Sequence, residues 1–199
     1  MRGEGPPTLM RVFFGVELAE DIKAGVGQLA DRVRRRVEQA APRAAIRWVD
    51  PENLHITLWF VGEVKDDRLE ALTSATQAQY ATEAFRLELS GTGAFPPSGS
   101  PRVLWIGLTA GVEHLRSIYA ELGRRLAALG LEPERREYSP HLTIARIKDI
   151  ERRDAASMRG ALKMPTDLFA TDVRAVTLFR SRLSPKGARY EALLRVPLS

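Results

Sequence analysis

The sequence predicts a duplicated fold of mixed strands and helices, two similar lobes meeting at a central cleft, and three observations predict it. One tetrapeptide pattern occurs twice: His55-Ile56-Thr57-Leu58 and His141-Leu142-Thr143-Ile144 stand 86 residues apart and use two of the chain's three histidines. Each copy alternates with a period of two, so in a strand its His and Thr share one face and its two aliphatics take the other. The order strand, helix, strand, motif strand, helix then runs twice along the 199 residues, with one motif in each run. A pseudo-twofold axis between two such halves brings the motif strands together in the cleft, which sequence separation alone does not.

Each element follows from its periodicity. Residues 11–18 alternate as an opening strand, and Ile22, Val26, Leu29, Val33 and Val37 recur at helical spacing over about 19–38. A short strand, Ile46-Arg47-Trp48-Val49, leads to the first motif strand at about 54–61, expected to end at Gly62, and to a helix over about 66–81. Phe85-Arg86-Leu87-Glu88-Leu89 alternates as a strand, and the Pro-, Gly- and Ser-rich stretch from Gly91 to Pro101 reads as a surface loop near the cleft. Val103 to Leu108 is an apolar strand. Val112, Leu115, Ile118, Leu122, Leu126 and Leu129 mark a helix with Gly130 placed as its C-terminal cap. The second motif strand covers about 141–147, a short helix about 151–163, and strands at about 171–180 and 189–196 close the chain. Residues 10–199 make one bilobal domain, and residues 1–9 are expected to be a flexible tail before Met10.

Composition narrows the chemistry. With 44% hydrophobic residues the chain can bury an interior, and with no cysteine it has no disulfide, no thiolate metal site and no cysteine nucleophile. No apolar run reaches membrane-span length, and the first seven residues lack the apolar stretch of a secretory signal, so a cytoplasmic protein is expected. Thirty basic against 25 acidic residues give a formal charge of +5, compatible with an anionic partner such as a nucleic acid. The run Arg32, Arg34, Arg35, Arg36 reads as the solvated face of a helix rather than a nucleic-acid patch.

A lone His-x-Thr on a strand is weak evidence of chemistry; its repetition after a proline-marked turn is stronger. Pro51-Glu52-Asn53-Leu54 precedes the first copy and Tyr138-Ser139-Pro140 the second. His114 lacks that setting and reads as an ordinary surface residue. Two imidazoles facing each other with two hydroxyls alongside suit acid and base work on a phosphodiester, because an unperturbed pKa near 6.5 lets one be neutral while the other is protonated. Such a pair requires no metal, and no His-Glu-x-x-His spacing is present. Thr57 and Thr143 would hold the nonbridging phosphate oxygens as their charge grows.

With these residues in view, the chain resembles the RNA 2',3'-cyclic phosphodiesterases of the two-histidine (2H) phosphoesterase superfamily, historically called 2'-5' RNA ligases. The resemblance spans nearly the whole chain from Met10. It covers the opening strand Arg11 to Leu18, the signature Arg47 to Val64, Phe95-Pro96 with Pro101 to Trp105, Ser139 to Arg146, and the closing hairpin Leu178 to Tyr190. Trp59 departs from it, standing where the family commonly has a small or basic residue.

The resemblance implies a bilobal α+β fold, each lobe an antiparallel sheet backed by helices, with the active cleft between them. It also implies hydrolysis of RNA or nucleoside 2',3'-cyclic phosphates to 2'-phosphates, with reversible 2'-5' RNA ligation. The partners would be RNA ends or nucleotides carrying that cyclic phosphate; no cofactor, no membrane and a monomeric state are expected. By resemblance His55 is the acid that protonates the departing 3' oxygen and His141 the base that activates water, although pseudo-symmetry makes the two positions nearly equivalent in the sequence.

Arg146 lies five residues after His141, where the family has an important arginine. Strict alternation puts it on the opposite face, so either a bulge returns it to the cleft or it is structural. Phe60 holds the same offset from His55 and either stacks on a nucleobase or fills the core. Ser181 and Arg182 are weaker candidates for phosphate contact. The rival readings are a different cyclic phosphate substrate, a metal hydrolase, and a non-catalytic RNA-binding protein that only captures phosphate.

Overall fold

The structure, a computed structural model, describes residues 9–134, 136–184 and 187–199. Of the expected tail, residues 1–8 lie outside them.

Among the described residues nine strands and four helices follow in the order β1 (Met10–Glu17), α1 (Glu20–Ala40), β2 (Ala45–Trp48), β3 (His55–Val64), α2 (Asp66–Thr76), β4 (Phe85–Phe95), β5 (Val103–Ala110), α3 (Val112–Ala127), β6 (Leu142–Asp149), α4 (Ala155–Ala161), β7 (Phe169–Val173), β8 (Ala175–Ser184) and β9 (Gly187–Pro197). These strands pair antiparallel in the order β7-β4-β5-β6-β3-β1-β8-β9, with β2 also on β6. Outward from the middle, β3-β1-β8-β9 is answered by β6-β5-β4-β7. The two halves meet at β3 and β6 through one residue pair, Ile56 with Leu142. This is the expected duplicated α+β architecture, with the motif strands central.

Helices lock the halves together. Val26, Leu29, Val33 and Val37 of α1, and Leu115, Ile118, Leu122 and Leu126 of α3, are fully buried at the i, i+3, i+4 spacing of one helix face. Each such side chain contributes about 1.5–3 kcal/mol by leaving water. Helix α1 packs on α4 and β7, and α2 on α3. Each of these three contacts draws one partner from each run of the duplication. Helix α3 ends as expected: Leu131 N–H donates to Leu126 O and Gly130 N–H to Ala127 O, with Gly130 left-handed at φ +70°.

Several boundaries differ from the sequence reading, each for a local reason. Gly62 does not end the first motif strand; it takes φ +95° inside β3 beside a register shift, so the strand bends and continues to Val64. Helix α2 stops at Thr76 rather than 81 because the Arg125 guanidinium takes the carbonyls of Thr76, Ala78 and Gln79, which then have no helical partner to serve. The stretch expected as a loop from Gly91 is strand as far as Phe95, since Gly93, Ala94 and Phe95 pair with Trp105, Leu104 and Val103.

The strand expected over 171–180 divides at Arg174, whose carbonyl accepts from Leu198 N–H. The helix expected at 151–163 is a 3-10 turn, Arg152–Asp154, followed by α4. Strand β2 has no counterpart before β6, where the described residues between α3 and β6 form no strand. The arginine run on α1 is structural: Arg32 pairs with Asp167, Arg34 with Glu38, and Arg36 donates to Ala161 O. No helix among the described residues is long and apolar enough to cross a membrane.

Candidate active site

Pairing of Ile56 with Leu142 sets the site. Those two residues, with Leu58 and Ile144, enter the hydrophobic core, so the other face of the seam carries His55, Thr57, His141 and Thr143. Antiparallel register about that pair brings His55 to the side of Thr143 and Thr57 to the side of His141. Both motifs therefore present an imidazole and a hydroxyl to one cleft.

The two rings are held alike. His55 Nδ1 lies 2.7 Å from Asn53 O, and His141 Nδ1 lies 2.8 Å from Ser139 O, in each case the carbonyl two residues upstream. A carbonyl only accepts, so Nδ1 carries the proton in both rings and Nε2 is the atom left for chemistry. In its neutral form His55 Nε2 accepts from Thr57 Oγ1, 3.1 Å away.

The lead-in segments are anchored in turn. A 3-10 turn, Pro51–Asn53, starts where Asp50 Oδ1 accepts from Glu52 N–H, and Asn53 Nδ2 donates to Ala188 O of the closing hairpin. On the other side Tyr138 O–H donates to Thr57 O, and the Tyr138 ring stacks on Tyr119 at 4.3 Å. One motif's lead-in thus steadies the other motif's strand.

Both residues at the +5 offset reach the cleft face, and a bulge in each strand is the reason. Gly15 pairs with Thr57 and Phe14 with Trp59, so Leu58 is the extra residue in β3; Trp105 pairs with Thr143 and Leu104 with Ala145, so Ile144 is the extra residue in β6. The alternation resets by one. Phe60 is exposed, 52%, and its ring lies parallel to Phe13 at 5.9 Å. It does not fill the core. Arg146 is likewise exposed, and its charge acts on both histidines. The same bulge sends Trp59 into the core against Tyr119, away from the cleft, so the departure from the family at that position does not touch the site.

Sequence reasoning missed the aromatic wall. Phe13, Phe179 and Tyr190 surround His55, at 4.8, 5.9 and 5.0 Å between ring centres, and Phe95 meets His141 edge-on at 5.0 Å. These residues come from four strands, and only cross-strand register reveals them. A Cβ on Gly15 would sit 2.8 Å from Ile56 O and 3.5 Å from His55 Cδ2, so this position keeps the floor under the ring open. Arg182 turns to Glu191, whereas Ser181 pairs with Tyr190 in the β8–β9 register and so shares the face of the ring that lies against His55. His114 is exposed and stacks on Phe85, remote from the seam.

Electrostatics keep the free site's imidazoles neutral. Burial pushes the His55 pKa down to about 4, and the nearby Arg146 and His141 charges add to that. His141 is lowered chiefly by burial as well, with Arg146 contributing. The hydrogen bonds to Asn53 O and Ser139 O oppose these shifts. Glu17 pairs with His55 in the β1–β3 register, but its carboxylate accepts from Arg195 Nε at 2.7 Å, Arg195 Nη2 at 3.1 Å and Thr177 Oγ1 at 3.1 Å, which holds its pKa low and turns it from the ring. No group of three or more His, Cys, Asp or Glu side chains that could hold a metal ion occurs among the described residues.

This geometry has relatives. The LigT-like phosphoesterase family model matches the chain twice, over residues 21–105 and 106–190, one motif in each match. An RNA 2',3'-cyclic phosphodiesterase of Aeropyrum pernix is 36% identical, over 86% of this chain and 95% of its own. One of Methanocaldococcus jannaschii is 31% identical, over 92% and 98%. Among solved structures, E. coli LigT complexed with 3'-AMP superposes with a TM-score of 0.74 at 27% identity, over 96% of this chain and 99% of that one. TT0787 of Thermus thermophilus gives 0.70 at 28%, over 94% and 97%. Two family matches covering most of the chain, each centred on a histidine strand of the same seam, show that this protein belongs to the LigT-like phosphoesterase family.

Proposed function

We propose that the protein hydrolyses RNA or nucleoside 2',3'-cyclic phosphates to 2'-phosphates by a metal-independent His/His mechanism. One observation carries the reading: two imidazoles in one cleft, each fixed through Nδ1–H to the carbonyl two residues upstream, each offering Nε2. The names of the relatives and the 3'-AMP complex of E. coli LigT support the substrate class.

In the proposed reaction, neutral His141 Nε2 takes a proton from water, whose oxygen attacks phosphorus. Protonated His55 Nε2 gives its proton to the 3' oxygen as the P–O3' bond breaks, leaving the phosphate on the 2' oxygen. Thr57 and Thr143 hydroxyls and the Arg146 guanidinium bear the charge that builds on the nonbridging oxygens. Phe60, exposed at the cleft rim, offers a face on which a base stacks. A 5'-hydroxyl taking the place of water forms a 2'-5' linkage through the same steps, so ligation is the companion reaction of this site. The assignment of acid to His55 rests on the resemblance, since both rings have the same backbone setting.

The test is turnover of a 2',3'-cyclic nucleotide with the product identified. His55→Ala and His141→Ala should each lower turnover about 10²- to 10⁴-fold, the range for loss of one general acid or base, with a chelator having no effect. A folded variant that keeps parental turnover sinks the pair mechanism, and a rate that needs added divalent metal sinks its metal independence. A 3'-phosphate product reverses the assigned orientation. RNA binding that survives His55→Ala, from a parent that hydrolyses nothing, would favour a binding protein instead.

A further inference from the structure

Arg47 stands directly beside Arg146, and among the described residues neither has an acidic partner. Strand β2 runs along the edge of β6 that β3 leaves after the seam, with Arg47 opposite Arg146 and Trp48 opposite Ala145. Directly paired residues of an antiparallel ladder point to one face, with Cβ atoms about 4.5–5.5 Å apart, and like charges so placed are destabilising. Both arginines are exposed, and neither enters an ion pair or a side-chain hydrogen bond among the described residues. The contrast lies on the same molecule, where Arg125 is closed onto Glu121 and Arg195 onto Glu17. A repelling pair kept unneutralised at the mouth of a phosphoesterase cleft points to an anion that arrives with the substrate.

The reacting phosphate does not account for both cations. Arg146 shares the cleft face with both histidines, whereas Arg47 lies one strand away, a spacing of about 4.8 Å, on the open side. We propose that Arg47, beside the Arg146 that serves the reacting phosphate, forms a second phosphate subsite that holds the phosphate on the 5' oxygen of the terminal nucleotide. Resting on the proposed cyclic phosphodiesterase reading, this makes the preferred substrate an RNA end bearing an upstream phosphate rather than a bare nucleoside cyclic phosphate. That phosphate is the nearest further anion joined to the ribose that carries the cyclic group. Its source is either the internucleotide diester or a terminal 5'-monophosphate, and guanidinium geometry suits both.

The experiment compares kcat/KM of the parent, Arg47→Ala and Arg47→Lys on three substrates: adenosine 2',3'-cyclic phosphate, its 5'-phosphorylated form, and an ApA dinucleotide ending in the cyclic phosphate. The parent should favour the dinucleotide, or both substrates with a second phosphate, by tenfold or more at low salt. Arg47→Ala should remove most of that preference, losing at least tenfold more on those substrates than on the nucleoside. Arg47→Lys should recover part of it, and the log–log salt slope of the dinucleotide should fall by about 0.7 for one lost phosphate contact. Preference for the dinucleotide alone identifies the diester as the source, and preference for both identifies either phosphate as sufficient. Equal loss on all three substrates, or a parent indifferent to the second phosphate, overturns the subsite. Should the parent hydrolyse none of them, the catalytic reading fails by itself. The subsite is then judged by whether Arg47→Gln weakens binding of ApA 2'-phosphate more than binding of adenosine 2'-phosphate.

Discussion

Anion binding to this site should draw protons from solution, because the free site holds neutral imidazoles where the proposed reaction needs one charged. With a pKa of about 4, His55 is protonated in roughly one molecule per thousand at pH 7. An acid so rarely charged is of little use until the substrate changes its surroundings. One negative charge about 4 Å from the ring, at the effective dielectric of about 20 that suits protein sites, favours the imidazolium by about 4 kcal/mol. At 1.36 kcal/mol per pKa unit this is a rise of about three units, which returns His55 to near neutrality. Sulfate is the clean probe, since it does not itself take up protons in this range. Titration calorimetry at pH 7 in two buffers of different ionisation enthalpy should show uptake of about half a proton or more per sulfate bound. His55→Gln should remove that ring's share. Saturable sulfate binding whose heat does not depend on the buffer would refute the reasoning, because the anion would then bind without charging either imidazole.

The same shift predicts the acid limb of stability. The His55 pKa is near 6.5 in the unfolded chain and about 4 in the fold, so between those values the unfolded chain holds more protons; stability is full above pH 6.5 and is lost as pH falls through 4. Its ceiling is about 3 kcal/mol, and denaturant midpoints of His55→Gln should vary less across that window than the parent's; equal slopes would show that the free ring is not depressed. Gly15→Ala should cost about 1–3 kcal/mol and lower turnover by tenfold or more, because the added methyl meets a backbone carbonyl and must displace the His55 strand. Parental melting temperature and turnover in that variant would show that the ring's seat has slack.

The part of the site legible in the sequence was the part that alternation determines. His55 with Thr57, and His141 with Thr143, share a face because a strand has a period of two, and their apolar neighbours anchor that face to the core. Arg146 and Phe60 lay beyond that logic. A bulge changes the phase by one residue, and Leu58 and Ile144 look like any other core aliphatics, so nothing local marks them as the extra residues. Phe13, Phe179, Tyr190 and Phe95 read as ordinary strand aromatics, and only pairing across β1, β8, β9 and β4 puts them against the imidazoles. The Gly91 stretch failed as a loop for the opposite reason: its turn-forming composition was outweighed by a ladder to β5, with the Trp105 indole lying over Gly93 where a Cβ would stand 2.2 Å from the ring.

Duplication leaves a problem that the fold resolves by breaking its own symmetry. Two identical half-sites would accept a cyclic phosphate in either direction, and each histidine would then serve as acid in half of the encounters. The half-sites are not identical. Equivalent positions hold Phe60 and Arg146, and Gly15 and Trp105. His55 consequently sits among the rings of Phe13, Phe179 and Tyr190, and β6 and β2 bring Arg146 and Arg47 to the edge of that wall, where both charges act on Tyr190. The aromatic wall deepens the pKa depression of His55, and the two arginines at its edge give the cleft one cationic rim, suited to phosphate, where the equivalent position of the other half holds Phe60. A single asymmetry would thus set the direction of the ribose and the protonation of the acid together, so a substitution that moved one should move the other.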